Sequence, residues 1–138
     1  MTMFLLHVDT DDKRVSWIRA GQDPALLYRI TENRFHELKG PGLALGVDPD
    51  FLFVEQQGGE LSGEQLFVIF TDGIWEACDR DNEPNGKERL KQSIAAHAHL
   101  DAADILEQIL HDQQRHLSGV LNDDDVTLVV VKYSDQPA

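Results

Sequence analysis

The sequence has little cysteine, little positive charge and no long hydrophobic run. Its one cysteine, Cys78, excludes an internal disulfide and favours a reducing compartment, so we expect a cytoplasmic protein. No apolar run approaches the roughly 20 residues that a membrane-spanning helix needs. The N-terminal segment MTMFLLHVDTDDKR lacks the basic start and the apolar stretch of a signal peptide. We therefore expect no association with a membrane.

The scarcity of basic residues also bears on binding partners. Acidic residues outnumber basic ones by 25 to 12, which gives a formal net charge of -13 at pH 7. Such a chain repels the phosphates of nucleic acids and anionic membrane surfaces, so we expect no nucleic-acid partner. The same excess of carboxylates favours the binding of cations.

Length and hydrophobic content predict one domain. The 138 residues, of which 41% are hydrophobic, suffice for a single unit with a core over 1–138. The runs TMFLLHV, RVSWIRA and ALLYRI alternate with turn signals, which is typical of antiparallel hairpins. After the glycine- and proline-rich segment KGPGLALGVDPDF, the runs FLFVEQQ and LFVIF predict further strands.

Two helices are predicted in the second half of the chain. Apolar residues recur at helical spacing in GKERLKQSIAAHA and again in DAADILEQILHDQQRHL. Asp101 is the expected N-cap of the second helix. The run VTLVVVKY predicts a final strand that returns to the sheet, and residues 134–138 are expected to form a loose end.

One strand runs directly into a polar turn. The five apolar residues LFVIF do not alternate with polar ones, which predicts a strand covered on both faces. Thr71, Asp72 and Gly73 follow at once, and the glycine permits a tight turn and a close backbone approach. A rigid element therefore presents the Asp72 carboxylate to a ligand or a cation, unless the segment is only a turn.

A second group of carboxylates precedes the final strand. The segment NDDDVT places Asp123, Asp124 and Asp125 at the start of that strand, whereas Asp72 lies at the end of LFVIF. If the two strands are antiparallel neighbours, these ends meet. Clustered carboxylates repel one another unless a cation or basic residues neutralise them, and oxygen ligands suit magnesium or manganese. In an acidic chain, a solvated turn is the alternative interpretation.

Other noticeable residues have simpler interpretations. His97 and His99 are two apart on a predicted helix, so their side chains diverge and are expected at the surface. The tryptophans are expected to pack against the core or another part of the domain, and a peptide contact by Trp75 stays open. Segment 81–92 partly imitates a calcium loop, but its twelfth residue is Gln92 rather than glutamate, which favours a helix-initiating turn.

Five motifs, taken in order, resemble a known family. RAGQDPALLYR, GLALGV, FVIFTDGIWEA, GKERL and DDDVTLVVVK resemble the bacterial metal-dependent serine/threonine protein phosphatases of the SpoIIE type, within the type 2C superfamily. The resemblance extends from about Met3 to Lys132. It implies an α+β fold, in which a β-sandwich of two antiparallel sheets is flanked by helices and carries a two-metal centre at one edge.

The resemblance also implies site residues and an activity. Asp72, in TDG, and Asp124, the first aspartate of DDVT, match ligands of one of two Mn²⁺ or Mg²⁺ ions, whereas Asp125 matches a position that does not bind metal. The ions would activate a water molecule for attack on phosphoserine or phosphothreonine. The implied substrate is a phosphorylated signalling protein, namely an anti-sigma-factor antagonist, and the implied setting is a longer regulator.

The chain departs from the family pattern in two respects. Gln22 stands where the family commonly has a histidine. The earlier Asp-Val-Ser-Gly-His-Gly element and a still earlier acidic residue, which supply the bridging aspartate and the second ion's ligands, have no counterpart in this sequence. We therefore expect a phosphatase-like domain that lacks its N-terminal strands and helices and retains at most half of the metal site.

These departures leave two further expectations. A catalytically incomplete, phosphatase-like module that acts in protein binding or regulation is the alternative function. Missing sandwich strands would also leave open edges and apolar surface, which favours self-association of this chain.

Overall fold

The computed structural model describes residues 1–122 and 124–135, which form two antiparallel sheets and two helices. The first sheet has the strand order β1-β2-β5, and the second has the order β4-β3-β6-β7. The strands are β1 (Met3–Asp9), β2 (Arg14–Ala20), β3 (Ala25–Arg29), β4 (Arg34–Leu38), β5 (Gln56–Glu60), β6 (Glu64–Phe70) and β7 (Leu128–Ser134). The helices are α1 (Gly86–His97) and α2 (Ala102–Leu117). The predicted α+β sandwich with flanking helices is confirmed.

The second sheet lies in the middle of the domain and is covered on both faces. Leu66 and Val68 of β6 pack with the apolar residues of α1 and α2, whereas Phe67 packs with Val15 and Trp17 of the first sheet. Because successive side chains of a strand point to opposite faces, this arrangement requires apolar residues at every position. The unbroken run LFVIF therefore has the structural cause that the sequence predicts.

Both predicted helices are present, and each buries one apolar face. Leu90 and Ile94 of α1 pack with Ile105 and Ile109 of α2 over the second sheet. Full burial of such a side chain contributes roughly 1.5 to 3 kcal/mol. The expected N-cap is confirmed, because the Asp101 side chain accepts a hydrogen bond from the Asp104 backbone N–H at 2.9 Å. None of the described helices is long and apolar enough to cross a membrane.

His97 differs from the surface position expected for it. Its ring contacts Asp112 Oδ2 of α2 at 3.1 Å, and the Ser93 hydroxyl donates to the same oxygen at 2.7 Å. Burial tends to raise the pKa of Asp112, but the hydrogen bonds from Ser93 and His97 and the charge of Arg115 outweigh it, so the pKa lies below its ordinary value. These contacts join the two helices.

One strand prediction needs correction, and one strand has no counterpart among the predictions. FLFVEQQ is not a strand in its first part, since 51–55 has no regular structure and β5 begins at Gln56. Strand β5 pairs with β2, and its Gly58 leaves room for the Trp17 ring, since a Cβ added at Gly58 would lie 2.6 Å from Trp17 Cη2. Strand β4 was not predicted. Its hairpin turn contains Asn33 in the left-handed conformation, a typical turn signal.

The predicted loose end at 134–138 lies only partly in the described chain. Ser134 is the last residue of β7. Asp135 accepts hydrogen bonds from the Gly63 backbone N–H and the Tyr133 hydroxyl. Residues 136–138 lie outside the described residues.

Candidate metal site

The end of β6 and the start of β7 lie side by side. The two strands are antiparallel neighbours with Phe70 opposite Leu128, which confirms the condition under which the carboxylates were expected to meet. Beyond that pair, Thr71 N–H donates to the Thr127 carbonyl at 3.0 Å and Thr127 N–H donates to Thr71 Oγ1 at 2.9 Å. The TDG and DDVT segments are therefore held together at one edge of the sandwich.

Asp72 begins a short 3-10 turn, Asp72–Ile74, and its side chain is exposed. Its Oδ1 accepts a hydrogen bond from the Gly73 N–H at 3.1 Å. Its backbone carbonyl accepts from the N–H groups of Trp75 and Glu76 at 3.0 and 2.9 Å. These bonds hold the backbone of Asp72 and leave the carboxylate accessible to a ligand.

Gly73 allows the two carboxylate-bearing segments to approach closely. A Cβ added at Gly73 would lie 2.6 Å from the Asp125 carbonyl oxygen and 3.5 Å from Asp124 Cβ. Since real Cβ atoms do not approach a backbone atom so closely, only glycine fits between Asp72 and the DDVT segment. The close approach inferred from the sequence is thus present at this turn.

Asp72 and Asp124 line two separate depressions. Asp72 lines one of about 130 Å³ together with Gln22 and Thr71. Asp124 lines another of about 370 Å³ that also contains Asn122. Both carboxylates are exposed, and no basic side chain within the described residues forms an ion pair with either of them.

The donor set fits a hard divalent cation in type but supplies only part of a coordination shell. Unpaired carboxylate oxygens are the ligands that Mg²⁺ and Mn²⁺ prefer. Within residues 1–122 and 124–135, no group of three or more His, Cys, Asp or Glu side chains is arranged to hold a metal ion. Asp123, the first residue of the DDD run, lies outside the described residues. Metal binding by Asp72 and Asp124 stays a prediction.

Three amide side chains, which the sequence does not identify as site residues, donate hydrogen bonds to the backbone carbonyls of the turn. Gln113 of α2, which is 4% exposed, donates to the Gly73 and Ile74 carbonyls at 2.9 and 3.2 Å. Asn85 donates to the Ile74 carbonyl at 3.0 Å, and Asn122 donates to the Gly73 carbonyl at 2.9 Å. Buried carbonyls need such partners.

A sequence signal for one of these amides exists. Gln113 interrupts the buried stripe formed by Ile105, Ile109 and Leu117 at intervals of four. A polar residue at such a position has to find a partner in the interior, because an unsatisfied buried amide is costly. The stripe therefore identifies a buried glutamine, although it does not identify the carbonyls that the glutamine contacts.

The calcium-like segment is a structured turn before α1. Asn85, at the fifth place of that segment, is buried, and its Nδ2 donates to the Ile74 carbonyl. Hydrogen bonds from the backbone N–H groups of Glu83 and Asp81 hold the pKa of the preceding Asp79 below its ordinary value. The helix-initiating turn predicted for this segment is present.

Comparison with known proteins relates the chain to bacterial phosphatases. The family model of the stage II sporulation protein E (SpoIIE) matches residues 1–134. Phosphoserine phosphatase RsbU of Bacillus subtilis is 28% identical over 132 residues, which cover 96% of this chain and 38% of RsbU. The chain thus spans less than two fifths of that relative's length.

Several solved structures share the fold, among them two bacterial phosphatase domains. The phosphatase domain of the Bacillus subtilis cell fate determinant SpoIIE, presoaked with manganese, superimposes with a TM-score of 0.71 at 19% identity, covering 99% of this chain and 58% of that one. The SiaA-PP2C domain of Pseudomonas aeruginosa has a TM-score of 0.77 at 19% identity, covering 96% of this chain and 52% of that one.

Proposed function

Because this chain belongs to the SpoIIE family, we propose that it forms part of a metal-dependent phosphatase that hydrolyses phosphoserine or phosphothreonine on a signalling protein. The relatives are phosphatases of the type 2C, and RsbU is a phosphoserine phosphatase. We assign the activity to a longer regulator in which these residues supply one portion of the metal centre.

One observation carries the proposal. The turn after β6 and the segment before β7 meet closely at Gly73, and each carries an exposed carboxylate, Asp72 and Asp124, with which no described basic side chain forms an ion pair. Carboxylates without a basic partner favour a bound cation, because its charge relieves their mutual repulsion. A bound Mn²⁺ or Mg²⁺ would supply Lewis acidity and neutralise charge on the phosphoryl oxygens.

The substrate class is a further step of the proposal. By the family resemblance, the phosphorylated protein is an anti-sigma-factor antagonist. Phosphoryl transfer leaves the protein mainly the tasks of positioning and charge stabilisation. The exposed edge that carries Asp72 and Asp124 is accessible to a phosphoserine on the surface of another folded protein.

Manganese binding tests the metal assignment directly. Calorimetric titration of Mn²⁺ into the 138-residue chain is expected to show one stoichiometric site that is lost in Asp72→Asn and in Asp124→Asn. Asp125→Asn is the matched control, because it removes the same charge from the adjacent position while its contact to Thr71 is made by the backbone carbonyl. Equal binding by all four proteins would contradict the assignment.

A catalytically incomplete module that acts in protein binding or regulation is the second candidate function. The observation that favours it is that no three or more His, Cys, Asp or Glu side chains of the described residues are grouped so that they could hold a metal ion. A phosphatase assay on the protein with its natural upstream sequence separates the two candidates. Activity there would exclude the binding module, whereas a folded, metal-free and inactive protein would favour it.

Self-association of this chain stays a prediction. Strand β1 is an edge of the first sheet, and its residues Met3 and Leu5 are exposed. An open strand edge with apolar side chains can be covered by another copy of the chain. Sedimentation is expected to show a dimer or a larger species that Leu5→Lys weakens, and a monodisperse monomer would contradict this.

A further inference from the structure

The connection between β2 and β3 runs beside the turn that carries Asp72. It is formed by residues 21–24 and passes from the first sheet to the second. Gly21, Gln22 and Asp23 line the same small depression as Thr71 and Asp72. The two sheets are therefore joined at the candidate metal site.

Side chains of this connection hold both ends of the turn. Gln22 Nε2 donates to the carbonyl of Phe70, the last residue of β6, at 2.8 Å. Trp75, which follows the turn, donates its indole N–H to Asp23 Oδ2 at 2.8 Å. The residues between Phe70 and Trp75, including Asp72, are thus bracketed by two hydrogen bonds from one short connection.

The bond between Trp75 and Asp23 acts on Asp72 through the backbone. The backbone N–H of Trp75 donates to the Asp72 carbonyl at 3.0 Å, so a displacement of Trp75 is transmitted to the backbone of Asp72. Lys87 of α1 strengthens the contact, because its Nζ lies 3.4 Å from Asp23 Oδ2 and 4.4 Å from the centre of the Trp75 ring. Hydrogen bonds to an ionised group are stronger than neutral ones.

We propose that Asp23 is a positioning residue that holds the Trp75 indole and thereby keeps Asp72 beside Asp124. This inference rests on the proposed metal site and adds a residue outside it. Asp23 is assigned a positioning role, because its Oδ2 accepts from the indole N–H and lies 3.4 Å from the ammonium group of Lys87, whose positive charge would repel a cation. The role of Asp23 is to hold the turn in place.

Two substitutions of Asp23 distinguish its role as a hydrogen-bond acceptor from the effect of its charge. Asp23→Ala removes the acceptor and the charge, whereas Asp23→Asn removes the charge but keeps an amide oxygen that can accept from the indole. Asp50→Ala, on an exposed loop, is the control for the loss of one negative charge. The first readout, taken without metal, is hydrogen exchange of the Trp75 indole and of the Trp75 and Glu76 backbone amides by NMR. The second is Mn²⁺ affinity.

Asp23→Ala is expected to speed the exchange of these three groups and to weaken Mn²⁺ binding about tenfold, the usual effect of losing a residue that orients a metal ligand. Asp23→Asn should keep most of the exchange protection and of the Mn²⁺ affinity. Asp50→Ala should change neither the exchange rates nor the Mn²⁺ affinity. Unchanged exchange in Asp23→Ala would overturn the proposal. So would Mn²⁺ affinity as weak in Asp23→Asn as in Asp23→Ala, since that result would indicate charge or direct ligation.

The two readouts also separate this inference from the proposed function. If the wild-type chain binds no Mn²⁺, the metal assignment of Asp72 and Asp124 fails in this chain. The exchange measurement still decides whether Asp23 holds the turn, because it requires no metal.

Discussion

Asp72→Asn is expected to lower the rate of phosphoserine hydrolysis by at least about 100-fold in the protein that carries the complete domain, because a metal ion supplies several kcal/mol of transition-state stabilisation. The amide keeps the shape of the side chain but replaces a charged oxygen ligand by a neutral one. The Asp72 backbone is held by Trp75 and Glu76, so the turn itself should persist in the variant.

The measurement is the hydrolysis of a phosphorylated antagonist-type protein, followed as released phosphate at several Mn²⁺ concentrations. We expect the loss in kcat and in kcat/KM, since an interaction with the reacting phosphoryl group is removed. Asp125→Asn, prepared in the same protein, should retain activity within about threefold, because surface substitutions away from a site have small effects. Full activity of Asp72→Asn would exclude the proposed role of Asp72.

Gly73→Ala is expected to destabilise the domain by about 1 to 3 kcal/mol, the usual cost of adding an atom to a closely packed place. Its Cβ would lie 2.6 Å from the carbonyl oxygen of Asp125, which is a backbone atom and cannot rotate away. The turn or the DDVT segment therefore has to move. This displacement separates Asp124 from Asp72, so Mn²⁺ binding should weaken at least about tenfold as well.

Urea denaturation and Mn²⁺ titration of the same preparations check both effects. Gly40→Ala is the matched control, because its added Cβ would meet Gln56 Cγ at 3.0 Å, and that side chain can shift. We expect Gly40→Ala to change stability less than Gly73→Ala and to leave Mn²⁺ binding unaltered. Wild-type affinity in a destabilised Gly73→Ala would show that the close approach does not determine the geometry of the site.

The sequence predicted best those elements whose signal is local. The helical stripes, the Asp101 N-cap and the doubly covered strand β6 are all confirmed, because each depends on side-chain period or on a residue next to the element. The errors concern β4 and the start of β5. Strand β5 is polar and contains Gly58 and Gly59, so its place depends on pairing with β2 rather than on its own composition.

For the candidate site too, the sequence predicts some residues and not others. TDG after an apolar run and DDD before one are visible in the chain as carboxylates at strand ends, and the excess of acid indicates cation binding. Gln113, Asn85 and Asp23 are not visible as site residues. Each lies outside the turn, Gln113 and Asp23 far from it in sequence, and their partners are backbone carbonyls or an indole, which no residue spacing encodes.

By itself the sequence determined that β6 is buried on both faces, that two amphipathic helices follow it and that carboxylates stand at two strand ends. Only the tertiary structure decided that β6 and β7 are antiparallel neighbours and that Gly73 brings Asp72 and Asp124 to adjacent positions across about 50 residues of chain. The physical reason is that the period of apolar residues specifies which face of an element is buried. Strand pairing depends instead on contacts between distant segments, and a local pattern specifies neither the partner strand nor the register.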